Sequence, residues 1–172
     1  FNLDRDAWAA YFETVYEALR RTRAGLDREG FAQTTLLGFC GAPWTLATYL
    51  AAGAGGDEQK AAKLWAYRDP RGFGQLLDIL GDCVAFHLIR QIDAGADAVQ
   101  IFDSWASGLP APLFEQVVVA PTLRIVTVVR AARPGARIIG FPRAATQAGY
   151  EQYAAATGVD AVSLDTAAPL AW

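Results

Sequence analysis

An α/β fold built on a parallel sheet is predicted by three features of this sequence. Short β-rich apolar runs alternate with longer stretches of helical periodicity. The short runs are apolar at successive positions, as strands covered on both faces are. Asp-Pro, Pro and Gly signals separate the two kinds of segment.

The first helix is predicted from about Asp4 to Ala24, with Asp4 as its cap and Trp8, Tyr11, Phe12, Val15 and Leu19 on one face. Gln33 to Phe39 follows Gly30 and reads as a strand. Pro43 suits the first position of a short helix that ends near the loop Gly53-Ala54-Gly55-Gly56. Asp57 is placed to cap another helix running to about Tyr67, and Asp69-Pro70 opens the next. That helix carries Phe73, Leu76, Leu77, Leu80, Val84, Leu88 and Gln91, and Gly95 stops it. Ala98 to Phe102 is a strand. Pro110 to Ala132 is helical, broken or bent at Pro121, which has no N–H to give. Pro134-Gly135 is a turn, Arg137 to Phe141 a strand, Gln147 to Ala156 a helix closed by Gly158, and Ala161 to Leu164 a strand.

Four such strands fit either a doubly wound sheet or half of an eight-stranded barrel. No strand is followed by the dinucleotide fingerprint GxGxxG, which weakens the nucleotide-binding version. A complete barrel takes about 250 residues, so the barrel version expects this chain of 172 residues to be an internal piece. Phe1 in place of Met, and a final segment that leaves a strand and stops, point the same way. Half a barrel made alone exposes open sheet edges, so it is expected to fold poorly and to be inactive.

Hydrophobic residues make up 53% and charged residues 19%, so the chain is globular rather than disordered. The net charge of -3 is spread along the sequence. No basic run marks a nucleic-acid or membrane surface. Cys40 and Cys83 are too few for a disulfide framework or a zinc signature and fit a reducing cytosol. No uninterrupted apolar run reaches the roughly 18 residues a membrane span needs, so no membrane partner is expected.

Working groups in parallel α/β folds lie at the carboxyl ends of strands. The first such end runs from Gly38 to Tyr49. Gly41 and Ala42 permit close backbone approach, and the N–H groups of Trp44 and Thr45 open a helix where they could meet a carboxylate. Tyr49 adds a phenolic donor. Trp44 and Tyr49 also read as ordinary aromatic packing. The second end, Ala98 to Gly108, carries Asp103 and Ser104 directly after a strand, where a cap is the plainer role. His87, the only histidine, lies four residues after Cys83. Two ligands without a third do not make a metal site, and His87 reads as structural. Asp165 stands at a strand end, a position open to a catalytic group, with capping or packing the plainer role.

Three segments carry a specific resemblance. Gly38-Phe39-Cys40-Gly41-Ala42-Pro43-Trp44-Thr45-Leu46-Ala47-Thr48-Tyr49 resembles a segment of the uroporphyrinogen decarboxylase family. So do Ala94-Gly95-Ala96-Asp97-Ala98-Val99-Gln100-Ile101-Phe102-Asp103-Ser104-Trp105-Ala106 and Thr157-Gly158-Val159-Asp160-Ala161-Val162-Ser163-Leu164-Asp165. The order and spacing follow the family. The resemblance implies a (β/α)8 TIM barrel, of which this chain is about half. It implies removal of carbon dioxide from the four acetate side chains of uroporphyrinogen III to give coproporphyrinogen III, with no cofactor and no metal, because the protonated pyrrole ring is the electron sink. It implies a cytoplasmic homodimer in heme biosynthesis.

Within the resemblance, Tyr49 and Ser104 match positions whose hydroxyls hydrogen-bond substrate side chains, and Phe102 matches an apolar residue of the cleft. No catalytic residue is carried over: the family's paired arginines and aspartate belong before Phe1 and its histidine after Trp172. The match departs in three places. Ser107 displaces Gly108, Pro142-Arg143-Ala144-Ala145 stands where a Gly-rich turn is usual, and Thr166 replaces a tryptophan.

Two other readings compete. A cobamide-dependent methyltransferase of the same superfamily needs a zinc-bound thiol from a His-x-Cys pair, which this sequence lacks. A non-catalytic barrel remnant needs no site at all.

Overall fold

The computed structural model describes residues 4–53, 59–166 and 168. In chain order the elements are α1 (Arg5–Tyr11), α2 (Glu13–Arg28), β1 (Leu37–Gly41), α3 (Pro43–Ala52), α4 (Lys60–Arg68) and α5 (Pro70–Asp93). There follow β2 (Ala98–Asp103), α6 (Ala111–Phe114), a π turn (Glu115–Val119), α7 (Ala120–Ala132), β3 (Ile138–Pro142), α8 (Gln147–Thr157) and β4 (Ala161–Val162).

The sheet runs β1-β2-β3-β4 and every pairing is parallel. A doubly wound sheet reverses its strand order at a switch point. Here spatial order equals chain order, so each crossover steps one place in the same direction. The helices cover one face only: Val99, Ile101, Asp103, Ile138, Gly140 and Pro142 are buried beneath them. Phe39, Gln100, Phe102, Ile139 and Phe141 alternate onto the other face and stay partly or fully exposed. This is the arc of a (β/α)8 barrel, four strands of the eight.

Two clusters hold the helices to the strands. Val84, Leu88, Val99, Ile101, Ile125, Val129 and Ile138 pack α5 and α7 beneath the middle of the sheet. Trp44, Phe73, Phe114, Val117 and Tyr153 pack the helices nearer its carboxyl end. Pro70–Asp93 and Ala111–Ala132 are each long and apolar enough to cross a membrane by length and composition, and in this fold both contribute side chains to the core clusters.

A backbone device fixes the strand starts, and it occurs twice. Asp97 donates its N–H to the Leu36 carbonyl, and its Oδ2 accepts the Leu36 N–H at 2.7 Å. Asp160 does the same with Ile138, both bonds measuring 2.8 Å. Each aspartate thus grips one residue at the start of the preceding strand, Leu36 just before β1 and Ile138 first in β3, by both main-chain groups. Each is anchored by an arginine, Arg23 at 3.1 Å from Asp97 and Arg130 at 2.8 Å from Asp160. The Ile138 N–H, then Arg130, holds the Asp160 carboxyl below its ordinary range. A depressed folded-state pKa stabilises above the unfolded value and is lost on acidification. Thermal unfolding of Asp160→Asn in the complete protein should therefore lose stability at neutral pH, and the gap to wild type should close as pH falls through the carboxylate range.

Gln91 performs a related task at β1. It is buried, donates from Nε2 to the Phe39 carbonyl and accepts the Phe39 N–H, both at 2.9 Å. Gly38 makes the passage possible, because a Cβ there would stand 2.7 Å from Gln91 Oε1. Gln91→Leu should strand both Phe39 groups and cost about 1–3 kcal/mol, read as a lowered denaturant midpoint.

Several boundaries differ from the sequence reading. The first helix is two, broken at Phe12. Its buried anchor is Tyr16, whereas Tyr11 is 80% exposed and Val15 40% exposed. Strand β1 begins at Leu37 rather than Gln33, because β2 offers no partner before Ala98. The interruption near Pro121 takes the form of a π turn one residue upstream of α7. It absorbs the i−4 bond Pro121 cannot make, and Thr122 Oγ1 bonds the Val118 carbonyl at 2.8 Å. Gly53 closes α3 and Gly95 and Gly158 close α5 and α8, all three at positive φ. Ala54, Gly55, Gly56 and the Asp57 cap lie outside the described residues.

Candidate functional site

Strands β1 and β2 end side by side, and α3 starts immediately beyond β1. Extended Ala42 and Pro43 at the first helical position turn the chain into α3. That places the first turn of α3 over the end of β2. Trp44 is fully buried and donates from Nε1 to the Trp105 carbonyl at 2.8 Å. Thr45 Oγ1 donates to Asp103 Oδ1 at 2.8 Å and accepts the Ser104 N–H at 2.9 Å. One turn further along α3, Tyr49 is 43% exposed, and its ring meets Trp105 edge-on with centroids 6.3 Å apart.

The open face of the sheet beside this rim is aromatic. Phe102 lies between Phe39 and Phe141, edge-on to each, at centroid distances of 5.9 and 5.7 Å. Phe39, Cys40, Gly41 and Phe102 line a hollow of about 280 Å³. The three residues singled out in the sequence all lie on or beside this rim. Phe102 belongs to the aromatic floor, Ser104 follows it after one residue, and Tyr49 stands across Trp105.

The sequence reading missed what joins them. It looked for a ligand carboxylate at the N–H groups opening α3. The structure puts the chain's own Asp103 there, 1% exposed. Its Oδ2 has no hydrogen-bond partner among the described residues. Burial pushes its pKa up to about 7, and the hydroxyl and N–H of Thr45 pull the other way. The neighbouring titratable groups, the Cys40 thiol and the Tyr153 phenol, are pushed upward by burial and stay neutral. The available signal was a threonine in the first helical turn and an aspartate at the adjacent strand end.

A carboxyl whose pKa is raised on folding binds its proton more tightly in the folded state. Its contribution is intact below the ordinary carboxylate pKa and is lost as pH rises through about 7. Asp103 should thus cost the fold up to about 4 kcal/mol on the alkaline side. Asp103→Asn keeps an acceptor for Thr45 and removes the titration, so its stability should fall less than that of wild type between about pH 4 and pH 7, the interval from the ordinary to the folded-state pKa.

The other flagged residues have structural partners. His87 Nδ1 and the Tyr16 hydroxyl share a hydrogen bond of 2.9 Å, and the His87 ring packs on Phe12. Among the described residues no three His, Cys, Asp or Glu side chains form a group able to hold a metal ion. Asp165 accepts the Tyr150 hydroxyl at 2.8 Å and the Ala144 N–H. It thereby pins the turn after β3, where Ala144 holds a φ of 55° that favours glycine.

Comparison with known proteins places these observations. A family model described as "Uroporphyrinogen decarboxylase (URO-D)" matches residues 2–172. Proteins named uroporphyrinogen decarboxylase from Brucella anthropi and Brucella canis are 51% and 50% identical to the chain over all of its 172 residues, covering 49% of each relative. The Brucella abortus (strain S19) protein of the same name matches at 50% with the same coverage. The chain spans about half the length of the curated relatives it matches.

Proposed function

Because this chain belongs to the uroporphyrinogen decarboxylase family, we propose that it supplies half of the barrel, and one side of the substrate cleft, of an enzyme that decarboxylates uroporphyrinogen. The substrate is a ring of four pyrroles with eight carboxylates, and the product keeps four of them. Such a ligand needs an apolar bed for the macrocycle and polar groups at its margin. The observation that carries the reading is the row Phe39, Phe102, Phe141 on the open face, with Ser104 two residues beyond Phe102 and Tyr49 against Trp105 at the carboxyl end of the strand.

Tyr49 and Ser104 bind substrate carboxylates by donating hydrogen bonds. Neutral donors hold an anion without fixing a counter-charge at the carboxylate that must leave. Phe102 is the apolar contact under the ring. The reaction uses no cofactor: the protonated pyrrole accepts the electron pair released with carbon dioxide. The protein acts in the cytoplasm as a homodimer.

The test is anaerobic turnover of uroporphyrinogen III by the protein expressed from its complete gene, with and without a chelator. Stepwise loss of four carboxyls, unaffected by the chelator, is expected. Metal-dependent methyl transfer in place of carbon dioxide release would establish the methyltransferase reading instead.

A further inference from the structure

We propose that Thr45 is a positioning residue, whose buried hydroxyl fixes the Ser104 backbone to the helix that carries Tyr49. The inference rests on the reading of Tyr49 and Ser104 as substrate contacts and deepens it. A threonine hydroxyl has one proton and directs it one way. Thr45 is 5% exposed, and its proton goes to Asp103 Oδ1. Its lone pair is thereby left facing the Ser104 N–H.

The chain Ser104 N–H, Thr45 Oγ1, Asp103 Oδ1 fixes the residue after β2 to the first turn of α3. Tyr49 stands one turn further along the same helix. One hydroxyl thus sets the spacing between the two rim groups. The Trp44 bond to Trp105 ties the same elements independently, so loss of the Thr45 hydroxyl loosens Ser104 without detaching α3. Asp103 takes part as the acceptor that orients Thr45. Its other oxygen has no partner among the described residues and meets no cation there.

The experiment compares wild type, Thr45→Val, Thr45→Ser, Ser104→Ala and the Thr45→Val/Ser104→Ala double variant, each expressed from the complete gene. Steady-state kinetics with uroporphyrinogen III and melting temperatures are measured for all five. Thr45→Val should raise KM by about tenfold with a smaller change in kcat. Thr45→Ser, which keeps the hydroxyl, should restore KM. In the Ser104→Ala background, Thr45→Val should add no further loss in kcat/KM, because it acts through Ser104. A loss that multiplies independently in the double variant, or a lowered melting temperature with unchanged KM, overturns the inference. Wild-type protein inert toward uroporphyrinogen overturns the reading of the site on which the inference rests, and the inference with it.

Discussion

Tyr49→Phe should lower kcat/KM for uroporphyrinogen by roughly tenfold to a thousandfold while leaving the melting temperature near that of wild type. The variant deletes one oxygen. If that oxygen donates to substrate carboxylates, one or two charge-assisted hydrogen bonds are lost, at about 1.5–3 kcal/mol each. The ring stays, and with it the edge-on contact with Trp105. The hydroxyl is not part of the core, since Tyr49 is 43% exposed. The folded structure therefore has little to lose and the reaction much. Wild-type turnover by the phenylalanine variant removes Tyr49 from the site.

Gly140→Ala should have the opposite profile, a severe loss of fold. Gly140 sits in β3, paired to Ile101 on one side and Val162 on the other. On its helix-covered face the ring of Tyr153 occupies the place of a side chain. A Cβ there would lie 2.5 Å from the phenolic oxygen and nearer still to the ring carbon Cε1. Strand pairing fixes the backbone, and Tyr153 is fully buried among packed neighbours. Neither partner can retreat, so the cost lies at or above the upper end of the roughly 1–3 kcal/mol usual for overpacking. Urea denaturation of the complete protein should show it. Tyr153→Leu alone should destabilise by leaving a void, yet added to Gly140→Ala it should recover part of the loss. Additive costs would mean that the two positions do not collide.

The sequence was readable where a single residue type has one physical use. Asp69-Pro70, Gly95 and Gly158 mark helix ends through a side-chain cap or a positive φ, and each does so in the structure. The parallel strands were readable because most of their residues, on both faces, are apolar or small. Boundaries set by a partner far along the chain were not. β1 starts where β2 can meet it, and the face of α2 is chosen by His87 and Arg90 against Tyr16. The site divided in the same way. Tyr49, Phe102 and Ser104 came from long matching segments. Thr45 and Asp103 lie in the same segments, but the bond between them spans 58 positions and leaves no local pattern. The reversal of strand order that separates the two parallel architectures is likewise a property of space, and only the sheet decided it.

The paired aspartate grips at Leu36 and Ile138 have a consequence for how such a protein can change. They secure the stagger of neighbouring strands at the floor of the barrel, remote from the rim that carries Tyr49 and Ser104. A strand that cannot slide keeps its alternation of inward and outward residues whatever happens at its other end. Turns at the rim are then at liberty to gain, lose or exchange residues, and selection can explore new chemistry there while the staves beneath stay in step.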